Sequence, residues 1–489
     1  MSTDAAVRTA VVFVHGLLER RPMEIFDDFA KTILPAGDER WAYYPLPVEV
    51  TDSYEARRYT VPAAGVDLYE YDWSFLMSGS RYAGLFPALA RVFLRRPRNV
   101  PDQVFGIWRA VWLMLLIPLG VFVGLLAIGG WYLRSGVAGW IVGLVTSVVV
   151  LSIVLALVRA APRALIRSFL TTGFVNVAHY FDLLAPESHM VRRAIRGGLV
   201  DLLHTLQQGC YTRITLVGHG IGGYIAYDAM TTLWAETHEL RAVAAERPGD
   251  LGSLAGLEAA ADRLLAEPDV NRALDEYQAA QFDLWQDIRS QGNPWRITDF
   301  VTVGTPMALA DFFIGRPPMF SGLSRTDSKR HEMFDRLTRK GIVVRCPPRS
   351  EALPVNAADC TPACYRSGEL DMLGAQSPFA VTRWANLWFP VRRGSIRGDW
   401  FGGALRPLFG PGVRDIAVGG NRPQRLRPGV VQTQYFKHHD RDVEEDFAFH
   451  LREVLALGDL SGLEVTLGAP EPDPAAVSRV VYRSWQRSM

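Results

Sequence analysis

Two uncharged runs constrain what this chain of 489 residues can fold into more than any other feature. From Ala110 to Leu133, 24 residues carry no charge; after Arg134, Ser135 and Gly136, a second run of 22 extends from Val137 to Val158. About 20 helical apolar residues cross the ~30 Å hydrocarbon core of a bilayer. So short a connector allows only an antiparallel hairpin. Spans over 110–133 and 137–158 are therefore predicted, with Pro118 kinking the first. Arg91, Arg95, Arg96, Arg98 and Arg109 precede the pair, Arg159, Arg163 and Arg167 follow it, and the far turn holds only Arg134. By the positive-inside rule both flanks are cytoplasmic, and Trp108, Trp112, Trp131, Tyr132 and Trp140 lie where interfacial rings belong. The expectation is a two-span protein of the cytoplasmic or inner membrane with both termini cytoplasmic and the bilayer as a partner. The competing reading is a helical hairpin buried in a large core.

Outside these runs the composition is that of a globular chain. Apolar residues make up 49% and charged residues 21%, and 43 Gly and 30 Pro are spread along the length, which excludes disordered and fibrous classes. The 52 basic and 51 acidic residues leave a net charge of +1, so no basic field exists to neutralise phosphates and no nucleic-acid partner is expected. Four cysteines, at 210, 346, 360 and 364, are too few to staple a secreted scaffold. Cys346, Cys360 and Cys364 are one ligand short of a four-Cys zinc site, so neither a metal nor a cofactor is expected. Met1 to Arg8 lack the basic and long apolar regions of a secretory signal.

Short apolar runs alternate with helical patterns, as in a parallel sheet covered by helices. Strands are predicted at 10–14, 66–71, 214–217, 300–303, 385–389 and 430–436, and helices at 22–34, 189–208, 222–233 and 445–457. Residues 1–104 and 160–489 read as one domain with the hairpin, 105–159, inserted into it. The Ala-, Leu- and Glu-rich stretch 236–295 reads as a helical cap. Residues 312–383 and 403–429 read as loops.

Within the domain, Ile214-Thr-Leu-Val-Gly-His-Gly-Ile-Gly-Gly-Tyr-Ile-Ala-Tyr-Asp228 is a β-branched strand, a Gly-dense turn and a helix. It resembles the nucleophile elbow, G-x-S-x-G, of the α/β-hydrolase superfamily, in which a sharp strand-to-helix turn raises a serine above the sheet. Here the pattern reads Gly218-His219-Gly220-Ile221-Gly222, and Gly220, which has no side chain to attack a carbonyl, holds the nucleophile position. Val11-Val-Phe-Val-His15-Gly16 resembles the His-Gly oxyanion loop of lipases, and Phe300-Val-Thr-Val-Gly304-Thr305-Pro306 the strand and G-[ST]-P unit after the elbow. With Tyr69-Glu70-Tyr71-Asp72-Trp73, these motifs are similar to those of bacterial membrane-associated lipase- or esterase-like proteins.

The resemblance implies an α/β-hydrolase fold and backbone oxyanion donors at Leu17 and Ile221. It also implies an acid and then a histidine on later strands. Asp399, in Arg397-Gly-Asp399-Trp-Phe-Gly402-Gly403, is the acid candidate with Asp415 in reserve, and His438 or His439 is the histidine. Two functions follow from it. One is a pseudoenzyme that binds an acyl ligand or a partner; the other is a serine lipase or esterase on acyl esters whose nucleophile has been replaced at Gly220.

Overall fold

The computed structural model describes residues 8–16, 24–34, 41–77, 97, 100–132, 136–152 in part, 186–240, 251–266, 271–311, 326–348, 364–367, 370–419, 434–436 and 447–455. Eight strands form one sheet. They are β1 (Thr9–Val14), β2 (Tyr44–Val50), β3 (Glu55–Val61), β4 (Val66–Asp72), β5 (Arg213–His219), β6 (Ile297–Val303), β9 (Arg383–Trp388) and β10 (Val413–Ala417), in the order β10-β9-β6-β5-β1-β4-β3-β2. From β10 to β4 every pairing is parallel, and β3 and β2 add antiparallel at the far edge. A separate hairpin pairs β7 (Cys364–Ser367) with β8 (Leu370–Leu373). The protein is therefore of the α/β class.

Period-2 alternation in β1 shows how the sheet divides the core. Ala10, Val12 and Val14 face one apolar cluster, with Leu216 and Phe300. Val11 and Phe13 face the other, with Val217, Val301 and Val303. Because both faces are covered, β1, β4, β5 and β6 are buried along their whole length, and the charged residues among them, such as Asp67, Glu70 and Asp299, are buried too. The helices are α1 (Glu24–Ile33), α2 (Asp102–Tyr132), α3 (Pro186–Gln208), α4 (Ile221–Thr237), α5 (Leu254–Ala266), α6 (Asn271–Ser290), α7 (Thr326–Arg339) and α8 (Phe447–Leu455). Residues of α3, α4, α5 and α6 fill the first cluster, and those of α1 and α8 the second.

The two-span membrane localisation is overturned, and with it the hairpin of membrane spans. Among the described residues no helix is long and apolar enough to cross a membrane. The first uncharged run does not begin a helix of its own, since α2 starts at Asp102 and roots in the sheet core through buried Val104 and Ile107, with Phe105, Trp108 and Val111 packed beside them. Absence of charge is a local property, and it does not distinguish an anchor from a helix whose first turns belong to a globular core. Farther along, the apolar side chains of Leu113, Leu116, Ile117, Val123, Ile141 and Leu144 are exposed. The termini, 1–7 and 456–489, lie outside the described residues.

Smaller differences have local causes. The antiparallel strands β2 and β3 were not expected: the edge strand β2 is mostly exposed and carries Pro45 and Pro47, so no apolar run marks it, and β3 beside it is only half-buried. The stretch 312–383 contains α7 and the β7–β8 hairpin, and 403–429 contains β10. At the predicted strand 430–436, Gln434–Phe436 is a turn and the remainder lies outside the described residues. The expected cap contains α5 and α6, packed on each other.

Candidate functional site

The turn between β5 and α4 is held by close backbone approach. A Cβ on Gly222 would overlap the carbonyl oxygen of Val14, and one on Gly218 would stand 2.7 Å from the nitrogen of Gly223. Glycine at both positions lets the first turn of α4 settle onto the ends of β1 and β5. Between them Gly220 has φ +55° and ψ −125°, a left-handed, strained conformation that any residue with a Cβ occupies only at a cost. Its N–H donates to the carbonyl of Val303 at 2.9 Å, and its own carbonyl accepts from Gly223 at 3.2 Å.

The end of β1 reaches the same place. The Cβ direction of Gly16 meets the His219 carbonyl oxygen at 3.2 Å and both the Cα of Gly220 and the nitrogen of Ile221 at 3.7 Å. The imidazole of His15 is buried and stacked on Trp73, with ring centroids 5.7 Å apart. Its Nδ1 lies 2.9 Å from the Gly16 carbonyl oxygen and its Nε2 3.6 Å from Asp72. Arg57 completes the cluster, at 2.6 Å from Asp72 and 3.2 Å from Glu70. Burial opposes a charge on His15, but the nearby Asp72 carboxylate and the field of Glu70 outweigh it and hold the imidazole above the usual histidine range. Burial pushes the Glu70 carboxyl up, against the pull of His15 and Arg57.

Asp399 lies on the other side of β6, the strand whose Val303 carbonyl receives the Gly220 N–H. It is buried; Oδ1 accepts from the Phe401 N–H at 2.9 Å and Oδ2 from the Tyr435 hydroxyl at 2.6 Å. Gly304 and Gly402 leave the space, for a Cβ on either would stand 2.7 or 2.6 Å from Oδ2. Tyr435 also accepts the Phe389 N–H at 3.1 Å, and burial together with the Asp399 charge keeps its phenol far above the usual range. The His219 ring lies against Tyr435 at 5.7 Å and Phe436 at 5.2 Å. A continuous path of contacts thus runs from the elbow through His219 and Tyr435 to Asp399.

Among the sequence candidates, the structure therefore gathers His15, Gly16, Gly218, His219, Gly220, Ile221 and Gly222 at one turn and sets Asp399 beside them through Tyr435. Leu17, His438 and His439 lie outside the described residues. Asp415 is placed elsewhere, capping the turn at Arg406 by accepting from the N–H groups of Leu405 and Arg406 and from Asn386. It lines a cavity of about 730 Å³ with Asp299, Arg383 and Arg414, and none of the described residues lining that cavity belongs to the elbow.

Sequence reasoning missed Tyr435, although it stands three residues before His438, because a buried phenol on a turn leaves no periodic mark. It also missed the role of Arg57, which the β3–β4 register sets opposite Glu70. Comparison of the chain with models of protein families, with curated proteins and with solved structures finds no match.

Proposed function

We propose that the protein is an α/β-hydrolase-type acyl-site protein in which the nucleophile has been lost, and that it binds an acyl ligand at the turn around Gly220 without turning it over. The observation that carries this reading is the backbone of Gly220. It sits at φ +55° and ψ −125° on a sharp turn from a buried parallel strand into a 17-residue helix, with the end of β1 against it and a buried carboxylate beyond the next strand. Such a turn serves a nucleophile by aiming a side chain out of the sheet; here there is none to aim. Glycine relieves a strain on the order of 1–3 kcal/mol that a serine would have to bear. Loss of a triad nucleophile leaves only a residual rate, roughly 10³ to 10⁴ over water, from binding and oxyanion stabilisation.

The test is acyl-ester hydrolysis by the parent and by Gly220→Ser. The parent is expected to be inert at enzymatic rates. The variant is expected to gain activity, since a hydroxyl there needs only a base and oxyanion donors in reach. Ordinary turnover by the parent would overturn the pseudoenzyme reading, and a folded variant inert on both short and long esters would overturn the acyl site.

A further inference from the structure

The loop that presents Asp399, residues 390–403, is held in part by bonds of its own, among them Ser395 N–H to the Arg392 carbonyl and Phe401 N–H to Asp399, both at 2.9 Å. Inside it, the Trp400 indole donates to the Ile396 carbonyl at 2.9 Å, the Arg397 N–H to the Ser395 hydroxyl at 3.0 Å and the Asp399 N–H to Phe389 at 3.4 Å, while Gly394 and Gly398 take positive φ. A further constraint comes from α2, far away in sequence. Gly106 lies flush against the loop backbone: a Cβ there would overlap the Ser395 carbonyl oxygen and stand 2.5 Å from its carbon. One turn on, Arg109 donates to the Gly394 carbonyl at 2.9 Å. Arg393 returns the contact, its guanidinium 4.9 Å over the Phe105 ring and 2.8 Å from Asp102. Val391 and Ile396 of the loop and Phe105 and Trp108 of α2 pack against the same apolar cluster. At the loop's end, Gly403 is open only wide enough for the Gln103 amide.

We propose that the first two turns of α2, Asp102 to Arg109, are the positioning element for Asp399, with Gly106 and Arg109 as the residues that set the loop. A helix holds its contacts in a fixed register, and a backbone-to-backbone seat transmits displacement with little slack. The same rigid element carries the exposed apolar residues Leu113, Leu116, Ile117 and Val123, so displacing that length of α2 displaces the acid loop. The catalytic part of this inference rests on the acyl-site reading of Asp399; the mechanical part does not.

Amide hydrogen exchange on the full chain tests the mechanical part. Losing the flush seat in Gly106→Ala is expected to speed exchange in 394–401 about tenfold, with β5 and α4 unchanged. Arg109→Ala, which removes one hydrogen bond and no packing at Gly106, is expected to speed it about threefold, and Arg109→Lys to restore most of the protection. Unchanged exchange in 394–401 in Arg109→Ala, with or without a foldable Gly106→Ala, overturns the clamp. The catalytic part is read in the Gly220→Ser background, where adding Arg109→Ala should lower kcat several-fold, up to about tenfold, with KM held within about twofold, and Arg109→Lys should recover it. Faster exchange with an unaltered kcat overturns the positioning of Asp399. If Gly220→Ser is itself inert, the acyl-site reading falls with the catalytic part, and exchange alone decides the clamp.

Discussion

His15 shows how one residue can have its chemistry changed by neighbours from two strands. Its imidazole at the end of β1 faces Asp72 and Glu70 of β4, and Arg57 of β3 bridges those carboxylates. The folded value is raised above the ordinary 6.5. The stabilisation from protonated His15 is therefore complete below about 6.5 and lost as the pH rises through the higher folded value. Glu70, also raised, acts in a lower window that begins at the ordinary carboxylate value, so the two do not overlap at their onset. In denaturant titrations across this range, His15→Asn is expected to be less stable than the parent by an amount that shrinks as the pH rises above 6.5. A difference that stayed constant or grew with pH would show that the imidazole is not held charged. The His-Gly dipeptide was visible in the sequence; the charge state was not, because Asp72, Glu70 and Arg57 meet it only through strand pairing.

At the scale of elements, the strongest constraint is the seat of α4 on β1 and β5. Gly222→Ala would drive a methyl group into the Val14 carbonyl, and relief requires the helix to lift from the sheet at a cost of about 1–3 kcal/mol. The expected outcome is a lowered urea midpoint with unchanged slope; an unaltered midpoint would mean that the turn has slack. The strand–turn–helix unit was legible because its requirements are local: β-branched residues for the buried strand and glycines where backbones touch. β2 and β3 were not, since β2 is an exposed antiparallel edge that needs no apolar run and β3 beside it is only half-buried. The apolar stretch in α2 misled for the opposite reason. Its lack of charge is local, while what decides its role, the docking of Val104, Ile107 and Gly106 on the core and acid loop, is set by residues roughly 290 positions later.

Across the whole molecule, Asp299 ties distant pieces together. It pairs with Arg213 and Arg383 at 2.6 Å each, and Arg213 also donates to the Leu455 carbonyl at the end of α8 at 3.2 Å. Burial works against the Asp299 charge, but the two guanidiniums prevail and hold the carboxyl below its usual value of 3.8. That stabilisation is present above about 3.8 and lost as the pH falls through the lower folded value. Asp299→Ala strands the buried Arg213 and is expected to cost about 3–5 kcal/mol near neutrality, with the gap to the parent narrowing in acid. Equal stability at neutral pH would show that the pairing is replaceable.

The sequence by itself determined the α/β class, the central parallel strands and the glycine turn around position 220, because apolar periodicity and backbone crowding are both local. Tertiary structure alone decided that Tyr435 holds Asp399, that Asp415 caps a turn and that α2 roots in the core beside the acid loop. The first and last of these depend on which residues, far apart in the chain, are brought together, and the second on the segment 405–406 folding back onto β10. Strand order sets that, and neither periodicity nor composition encodes it.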